Sequence, residues 1–334
     1  MKTYEIQQFG VENLALVERQ IPTLQANEVL VKFHANSLNY RDLMMINGWY
    51  NPRLKMPLVP FSDGSGEVIS VGESVLKFKI GDRVCPIFMQ NWIDGEVDFT
   101  KTKPALGGDI DGCLREFGAF DENGLVHIPQ HLSYEEASTL PCAAVTAWNA
   151  LVVSGKVKRD DFVLLQGTGG VSIFALQFAK LFGAKVIITS SSDEKLERAK
   201  SLGADYTINY KEREDWDKAV LEITEKRGVD HVVEVGGSGT MQRSANAVKI
   251  GGHIAVIGVL SGKGEFNPAT ILMKAIKLHG IFVGSREMFE AMNKCISENK
   301  LQPIVDKTFD FENVKDALQT MKNGSHFGKI VVKL

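Results

Sequence analysis

The residues best placed to do chemistry are a short run of glycines, Gly167-Thr168-Gly169-Gly170-Val171-Ser172. It follows a bulky apolar stretch, Phe162 to Gln166, which reads as a buried strand of a parallel sheet. After it, Ile173, Leu176, Gln177, Phe178, Lys180 and Leu181 carry a helical period, and Gly183 supplies a C-terminal stop. Lys185 to Thr189 is a second strand. A strand, a Gly-rich turn, a helix and a strand make the unit whose helix N-terminus receives a dinucleotide pyrophosphate. Ser172 stands where the third glycine of the pattern belongs, and serine is small enough to leave helix–strand packing intact. A Gly-rich turn in some other α/β protein is the competing reading, and the flanking strand and helix weigh against it.

The tip of the second strand chooses between cofactors. NAD sites place an Asp or Glu about 20 residues beyond the glycine turn, on the ribose hydroxyls. Here the tip is Ser190-Ser191-Ser192, followed by Asp193, Glu194 and Lys195. Hydroxyls and a cation suit a 2′-phosphate, so NADP is expected. Ser191 and Glu194 also fit a capping box that opens the next helix, with Lys195 solvated; both readings can hold together. A strand three residues longer would instead put the Asp193 carboxylate at the ribose.

The elements that must position these residues follow from the whole chain. Its 334 residues imply two domains, and 44% apolar with 24% charged residues is ordinary for a globular protein. A formal charge of −3 argues against a broad nucleic-acid or anionic-membrane surface. No apolar run reaches the roughly 18 residues of a membrane span, and MKTYEIQQFG lacks the layout of a signal peptide. Cys85, Cys113, Cys142 and Cys295 are too scattered for a CxxC site or a disulfide framework. The expected setting is the cytoplasm.

From Met1 to about Gln130 the chain reads as strands, at Asn13–Glu18, Glu28–Phe33, Glu67–Gly72 and Gly81–Cys85. Residues Met89 to Leu114 have no period and read as a long functional loop. Ser133 and Glu136 form a capping box opening a helix to Ala150, with a break at Pro141. Six strands then alternate with helices: Phe162–Gln166, Lys185–Thr189, Asp205–Ile208, His231–Val235, His253–Ile257 and Lys277–Val283. Six is the number in a complete doubly wound dinucleotide domain. An amphipathic helix around Val314, Ala317, Leu318 and Met321 precedes a strand, Lys329–Leu334, expected to return to the first domain's sheet. The expectation is an α/β protein, with residues 1–130 (completed by 300–334) as one domain and 131–299 as the other. The sixth strand is an apolar edge that would invite pairing, so a homodimer is expected.

These pieces in this order resemble the medium-chain dehydrogenase/reductase superfamily. The carriers are EVLVKFHANSLNYRDLMMINGWY, GSGEVISVGESVLKFKIGDRV, LPCAAVTAWNAL, GTGGVS, AKSLGADYTINY and GSHFGKIVV. The branch most similar to this chain is the zinc-independent quinone oxidoreductase-like group, with its NAD(P)-dependent alcohol dehydrogenase-like members. The resemblance implies a GroES-like β domain followed by a Rossmann doubly wound parallel sheet. It implies that Gly169, Gly170 and Val171 offer backbone to the pyrophosphate, and that Lys195 and Tyr210 flank the adenosine 2′-phosphate, beside the strand-tip hydroxyls of Ser190 and Ser191 read above. It places Thr146, Val283 and Ser285 at the nicotinamide end. Asn39 and Asp42 would line the cleft near the nicotinamide and Tyr50 would face the substrate, with Tyr40 and Trp92 as further wall candidates.

Zinc enzymes of the superfamily offer a Cys, then a His in a GHE motif, then a distant Cys or Asp. This chain has Asn39 at the first place and Phe61-Ser62-Asp63-Gly64 at the second, and only Cys142 matches the third. A catalytic zinc needs three protein ligands, so no zinc is expected, and Cys142 reads as a small core residue. Without a Lewis acid the acceptor must already be electrophilic or be polarised by hydrogen bonds. Asn39 and Tyr50 could donate to a developing oxyanion. Asp42 also fits a helix cap and Tyr50 a half-buried loop aromatic. The resulting expectation is a small-molecule enzyme: an NADP(H)-dependent reductase of quinones or activated alkenes. A zinc-free alcohol dehydrogenase or carbonyl reductase, with Asp63 or Tyr50 as proton donor, is the first alternative. A nucleotide-sensing protein without turnover is the second.

Overall fold

A computed structural model of the chain describes residues 1–258, 260 and 264–334. The chain divides into two compact units, Met1–Val145 with Val283–Leu334, and Thr146–Phe282.

The second unit is built on six parallel strands in the order Tyr206–Asn209, Lys185–Ser190, Phe162–Gln166, Val229–Glu234, Val248–Val256 and Lys277–Gly280. Numbered along the chain this is 3-2-1-4-5-6, the doubly wound dinucleotide order. The strands are apolar runs because helices cover both faces of such a sheet: Val163, Leu164, Leu165, Val232 and Val233 are fully buried. Helix Gly170–Leu181 lays Ile173, Phe174, Leu176 and Phe178 into that core and ends at Phe182, with Gly183 left-handed at φ +75°. The outermost strand, Lys277–Gly280, is exposed along its length.

In the first unit a seven-stranded sheet is centred on Glu28–Ser37. Asp63–Val71 and Phe117–Asp121 pair with it antiparallel, and so does the C-terminal strand Lys329–Lys333, in the register Val331↔Ser37. The expected return of the chain end to the first sheet is therefore present. Helix Val314–Lys322 buries Val314, Ala317, Leu318 and Met321, the four residues its period selects. Residues 89–114 hold turns and isolated bridges. Trp92 is core there, packed with Phe88, Met89 and Ala105. Among the described residues no helix is long and apolar enough to cross a membrane.

Several expectations need correcting. The helix after Ser133 does not break at Pro141; Tyr134–Ser138 passes into a π-helical turn, Leu140–Ala144, and a second lies at Asn149–Ser154. A proline has no N–H to give and its ring crowds the preceding turn, so a wider turn accommodates it. The cap of the helix Asp193–Ser201 is Ser192 rather than Ser191, its Oγ accepting from Lys195 N at 3.4 Å. Strand Lys185–Ser190 runs one residue beyond Thr189 because Ser190 pairs with Asn209. The sixth strand stops at Gly280 instead of Val283. The unit boundaries also fall elsewhere than 130/131 and 299/300. Helix Tyr134–Ser138 packs on the first sheet, where Ser65 Oγ donates to Tyr134 O at 2.6 Å. Helix Arg286–Asn299 joins the same unit through Asn293 Nδ2, which donates to His127 O at 3.0 Å.

Candidate active site

In the second unit the glycine turn is shaped for a ligand. Gly167 is left-handed at φ +67°, and a Cβ on Gly167 or Gly169 would meet only open space. Gly169 caps the twelve-residue helix Gly170–Leu181 with its backbone alone, leaving the first-turn N–H groups of Gly170 and Val171 for an anion. Ser172 answers the missing third glycine. It is 2% exposed and its Oγ donates to Gln166 O at 2.6 Å, tying the helix to the strand below it.

Beside the turn lies a cavity of about 420 Å³ lined by Gln166, Gly167, Thr189, Tyr210, Trp216 and Gly236, with Glu214, Thr240 and Arg243 at its wall. Tyr210 lines this cavity, and Tyr210 N donates to Ser190 O at 3.0 Å. Lys195 is the third residue of the next helix and is not among the lining residues. Asp193 is that helix's first residue and accepts from Asn209 Nδ2 at 2.8 Å.

A buried network beneath the cavity was not foreseen. Glu234, fully buried at the end of its strand, accepts through Oε1 from Gly236 N and Gly237 N, both at 2.9 Å, and from Thr240 Oγ1 at 2.5 Å. Its Oε2 takes Gln166 Nε2 at 2.7 Å and the Ser244 hydroxyl. Gln166 Oε1 in turn accepts from Val235 N and Gly236 N. The network fixes the second glycine turn, where Gly237 stands at φ +91°. The signal for it is two polar residues, Gln166 and Glu234, each closing an apolar strand just before glycines. A buried polar group must be partnered.

In the first unit a polar cluster forms where the strand ends of the first sheet meet the helix Tyr40–Ile46. Lys329, 3% exposed, donates from Nζ to Leu38 O and to Asn39 Oδ1, both at 2.6 Å, and lies 3.8 Å from Asp63 Oδ2. Asn39 Nδ2 donates to Ser62 Oγ at 3.3 Å, and Ser62 Oγ to Asp63 Oδ1 at 2.8 Å. Ser37 Oγ and Cys142 N also donate to Asp63. The residue before this pair, Phe61, is fully buried at φ +69°, a conformation costly for a bulky side chain that places Ser62 and Asp63 in the cluster.

Asp42 serves the start of its helix: its Oδ2 accepts from Asn39 N at 2.7 Å. Burial pushes its carboxyl up to about 7. Tyr50 stands past the other end of that helix, 53% exposed, with the Arg41 guanidinium 5.8 Å from its ring centre. The structure therefore joins Asn39 and Asp42 by a direct hydrogen bond, while the Tyr50 ring meets Arg41, whose guanidinium lies 3.9 Å from Asp42. Tyr40, the helix's first residue, is 41% exposed. Ser285 spends its hydroxyl as the cap of helix Arg286–Asn299, accepting from Met288 N at 3.1 Å. Val283, a β-branched residue held at φ +45°, is the strained position of that connection. Arg286 pairs with Glu290 at 3.0 Å. Thr146, on the turn Val145–Trp148, is 4% exposed.

A zinc ion does not suit the first unit's cluster. Asn39 and Ser62 are poor ligands, and an ammonium already sits against Asn39 and Asp63. Among the described residues no group of three or more His, Cys, Asp or Glu is placed to hold a metal ion.

Comparison with known proteins agrees with this architecture. Residues 25–130 match the alcohol dehydrogenase GroES-like domain and residues 170–298 the zinc-binding dehydrogenase family. A zinc-type alcohol dehydrogenase-like protein of Schizosaccharomyces pombe is 45% identical over 97% of this chain and 96% of its own length. The crystal structure of an NAD-dependent alcohol dehydrogenase superposes with a TM-score of 0.92 at 32% identity, covering 100% of both chains. The quinone oxidoreductase of Coxiella burnetii gives 0.81 at 28% identity, covering 100% of this chain and 99% of its own.

Proposed function

The chain belongs to the medium-chain dehydrogenase/reductase superfamily and is an oxidoreductase, and from that premise we propose that it is a zinc-independent, NADPH-dependent reductase of quinones and activated alkenes. One observation carries this reading. Where zinc enzymes of the superfamily keep ligands, this chain has Asn39 and Ser62, with the Lys329 ammonium 2.6 Å from the Asn39 amide oxygen. Such a place offers hydrogen bonds and positive charge in place of a Lewis acid.

Gly169, Gly170 and Val171 would hold the pyrophosphate, Ser190, Ser191, Lys195 and Tyr210 the ribose phosphate, and Thr146, Val283 and Ser285 the nicotinamide end. When bound, the cofactor supplies a hydride. The chain's own contribution is at Asn39: its Nδ2 carries two hydrogens, one of which goes to Ser62. The other is available to an acceptor oxygen on which negative charge grows, and a donor fixed in advance stabilises that charge without reorganising. Asp63 only accepts hydrogen bonds, from Ser37, Ser62 and the Cys142 N–H, which disfavours it as the proton donor a carbonyl reductase needs. Acceptors that are already electrophilic need less help, hence quinones and conjugated enones.

The deciding assay follows NADPH oxidation by the chelator-treated protein with a benzoquinone, an enone and a simple aldehyde. Turnover with the first two, unchanged by chelator, is expected; turnover with the aldehyde alone, or activity restored only by zinc, overturns the reading. NADPH is expected to bind roughly tenfold to a hundredfold more tightly than NADH, about 1–3 kcal/mol, and Lys195→Ala to erase most of that difference. Equal affinities would return the ribose to Asp193. We further propose a homodimer paired through the exposed edge strand Lys277–Gly280; a monomer by light scattering at micromolar concentration refutes it.

A further inference from the structure

The first unit's cluster is a closed, directional ring. Lys329 Nζ donates to Asn39 Oδ1, Asn39 Nδ2 to Ser62 Oγ, and Ser62 Oγ to Asp63 Oδ1, while Asp63 Oδ2 faces Lys329 Nζ at 3.8 Å. Each member has one possible sense. An ammonium has donors and no acceptor, so the face of the Asn39 amide against Lys329 must be its oxygen. That choice turns the NH2 group the other way, and the Ser62 hydroxyl, which accepts from it, must give its own proton to the carboxylate. All four residues are at least 90% buried: Lys329 is 3% exposed, Asn39 8%, and Ser62 and Asp63 0%.

The ring is assembled from distant parts of the chain. Lys329 begins the C-terminal strand, whose antiparallel register with Glu28–Ser37 sets Val331 opposite Ser37 and brings Leu38 N to Ile330 O at 3.0 Å. The same pairing carries the ammonium to Leu38 O and the Asn39 side chain. A buried charge needs hydrogen bonds as well as a counter-ion. Lys329 takes two of its three from oxygens at the point where the strand Glu28–Ser37 gives way to the helix. Were neutralising Asp63 its whole task, the closer approach would be to that carboxylate; the shorter contacts go to Leu38 and Asn39.

We infer that Lys329 is a positioning residue for hydride transfer. Its ammonium locks the Asn39 amide in the one flip that leaves an Nδ2 hydrogen for the acceptor, and draws electron density toward Oδ1 so that this N–H is a stronger donor. The inference rests on the reading that Asn39 donates to the acceptor oxygen. It makes the C-terminal strand part of the reactive centre through its first residue, a part that no stretch of sequence near Asn39 could supply.

The test is a double-mutant cycle on the full chain, with an enone as acceptor and a structural readout beside it. Lys329→Met is expected to lower kcat at least tenfold with the KM for NADPH within about twofold of wild type. Asn39→Ala should do the same, and the Asn39→Ala, Lys329→Met pair should be no slower than Asn39→Ala alone. Multiplicative losses overturn the inference, as does a wild-type kcat in Lys329→Met. Since Lys329→Met strands a buried carboxylate and so lowers stability, the neutral pair Asp63→Asn, Lys329→Met is carried alongside. It should keep a wild-type unfolding midpoint and the low kcat; recovery of wild-type kcat would mean that Lys329 only neutralises Asp63. The side-chain amide resonance of Asn39, identified by its absence in Asn39→Ala, should move upfield in the neutral pair. If wild type oxidises NADPH with neither quinone nor enone, the functional reading falls by itself. The amide resonance then still decides the placement of Lys329, and an unmoved resonance overturns it.

Discussion

Two fully buried carboxylates, Glu234 in the second unit and Asp63 in the first, solve the same problem in different ways. Glu234 closes a strand and is held by backbone N–H groups of its glycine turn, hydroxyls of the next helix and the Gln166 amide of the adjoining strand, all within its own unit. Asp63 opens a strand and faces an ammonium delivered by the other end of the chain. Neutral donors around a carboxylate fix the shape of a loop. A buried ammonium opposite one fixes something else, here the amide of Asn39. The first arrangement suits a cradle whose backbone must be exact before a ligand arrives; the second suits a place where charge develops during reaction.

The comparison breaks most visibly at Glu234. Glu234→Leu takes the carboxylate from the Gly237 N–H and the Ser244 hydroxyl in a buried place, while Gly236 N keeps Gln166 Oε1 and Gln166 Nε2 keeps Ser244 Oγ. Each such donor costs about 1–3 kcal/mol, so with partial relaxation a loss on the order of 5 kcal/mol is expected. Denaturant unfolding measures it, and NADPH affinity should fall with it because Gly236 lines the cavity. Glu234→Gln, which keeps one acceptor, should lose less than half as much. A Glu234→Leu chain within about 1 kcal/mol of wild type would mean that the turn holds its own shape.

The first unit's contrasting character can be sharpened by pH. Burial raises Asp42 to about 7 from an ordinary 3.8, against the pull of Arg41. Below pH 4 the carboxyl is protonated folded or unfolded. Between 4 and 7 the unfolded chain gives up that proton while the folded chain keeps it, so stability falls as pH rises, and above 7 the loss is complete. The whole change is up to ~4 kcal/mol. Asp42→Asn keeps an oxygen for the Asn39 N–H and removes the dependence. His253 runs the other way: burial first, then His231 and His279, lower it to about 3, so its contribution is lost as pH falls from about 6.5. The wild-type minus Asp42→Asn difference in unfolding free energy cancels that opposite trend. A difference that does not change between pH 4 and 7 would show that Asp42 is ionised in the folded chain throughout.

How much of this was legible follows from the same contrast. In the second unit each strand is a run of apolar residues flanked by glycines, so six strands and their cofactor turn can be read locally. Their ends shift by a residue or more because pairing partners such as Ser190 and Asn209 decide them. In the first unit the zinc-ligand places could be inspected one by one, but not what fills them. Lys329 and Asn39 lie 290 positions apart, and only the register of two antiparallel strands brings them together. Tyr50 shows the converse. Eleven positions from Asn39, it lies beyond the helix Tyr40–Ile46, and its ring meets Arg41 in that helix's first turn, a contact no local pattern announces. Glu234 lay within reach, since a carboxylate that ends an apolar strand before two glycines must find donors, and the glycine N–H groups are the nearest.

The smallest expected effect concerns the link between the two glycine turns. Ser172 Oγ donates to Gln166 O, and the Gln166 side chain bridges Glu234 to the N–H groups of Val235 and Gly236. Ser172→Ala removes one buried hydrogen bond and leaves a carbonyl with its second lone pair, a loss of about 1 kcal/mol. Ser172→Gly, which restores the third glycine of the fingerprint, should lose about 1 kcal/mol more, because glycine in a helix costs that much beside alanine. Both should bind NADPH within about twofold of wild type, since the backbone of Gly169 and Gly170 is untouched. Calorimetric melting and NADPH titration separate the possibilities. A melting point near wild type together with tenfold weaker NADPH binding would show that the Ser172 hydroxyl serves the ligand, and that the glycine turn depends on the strand less than Glu234's network implies.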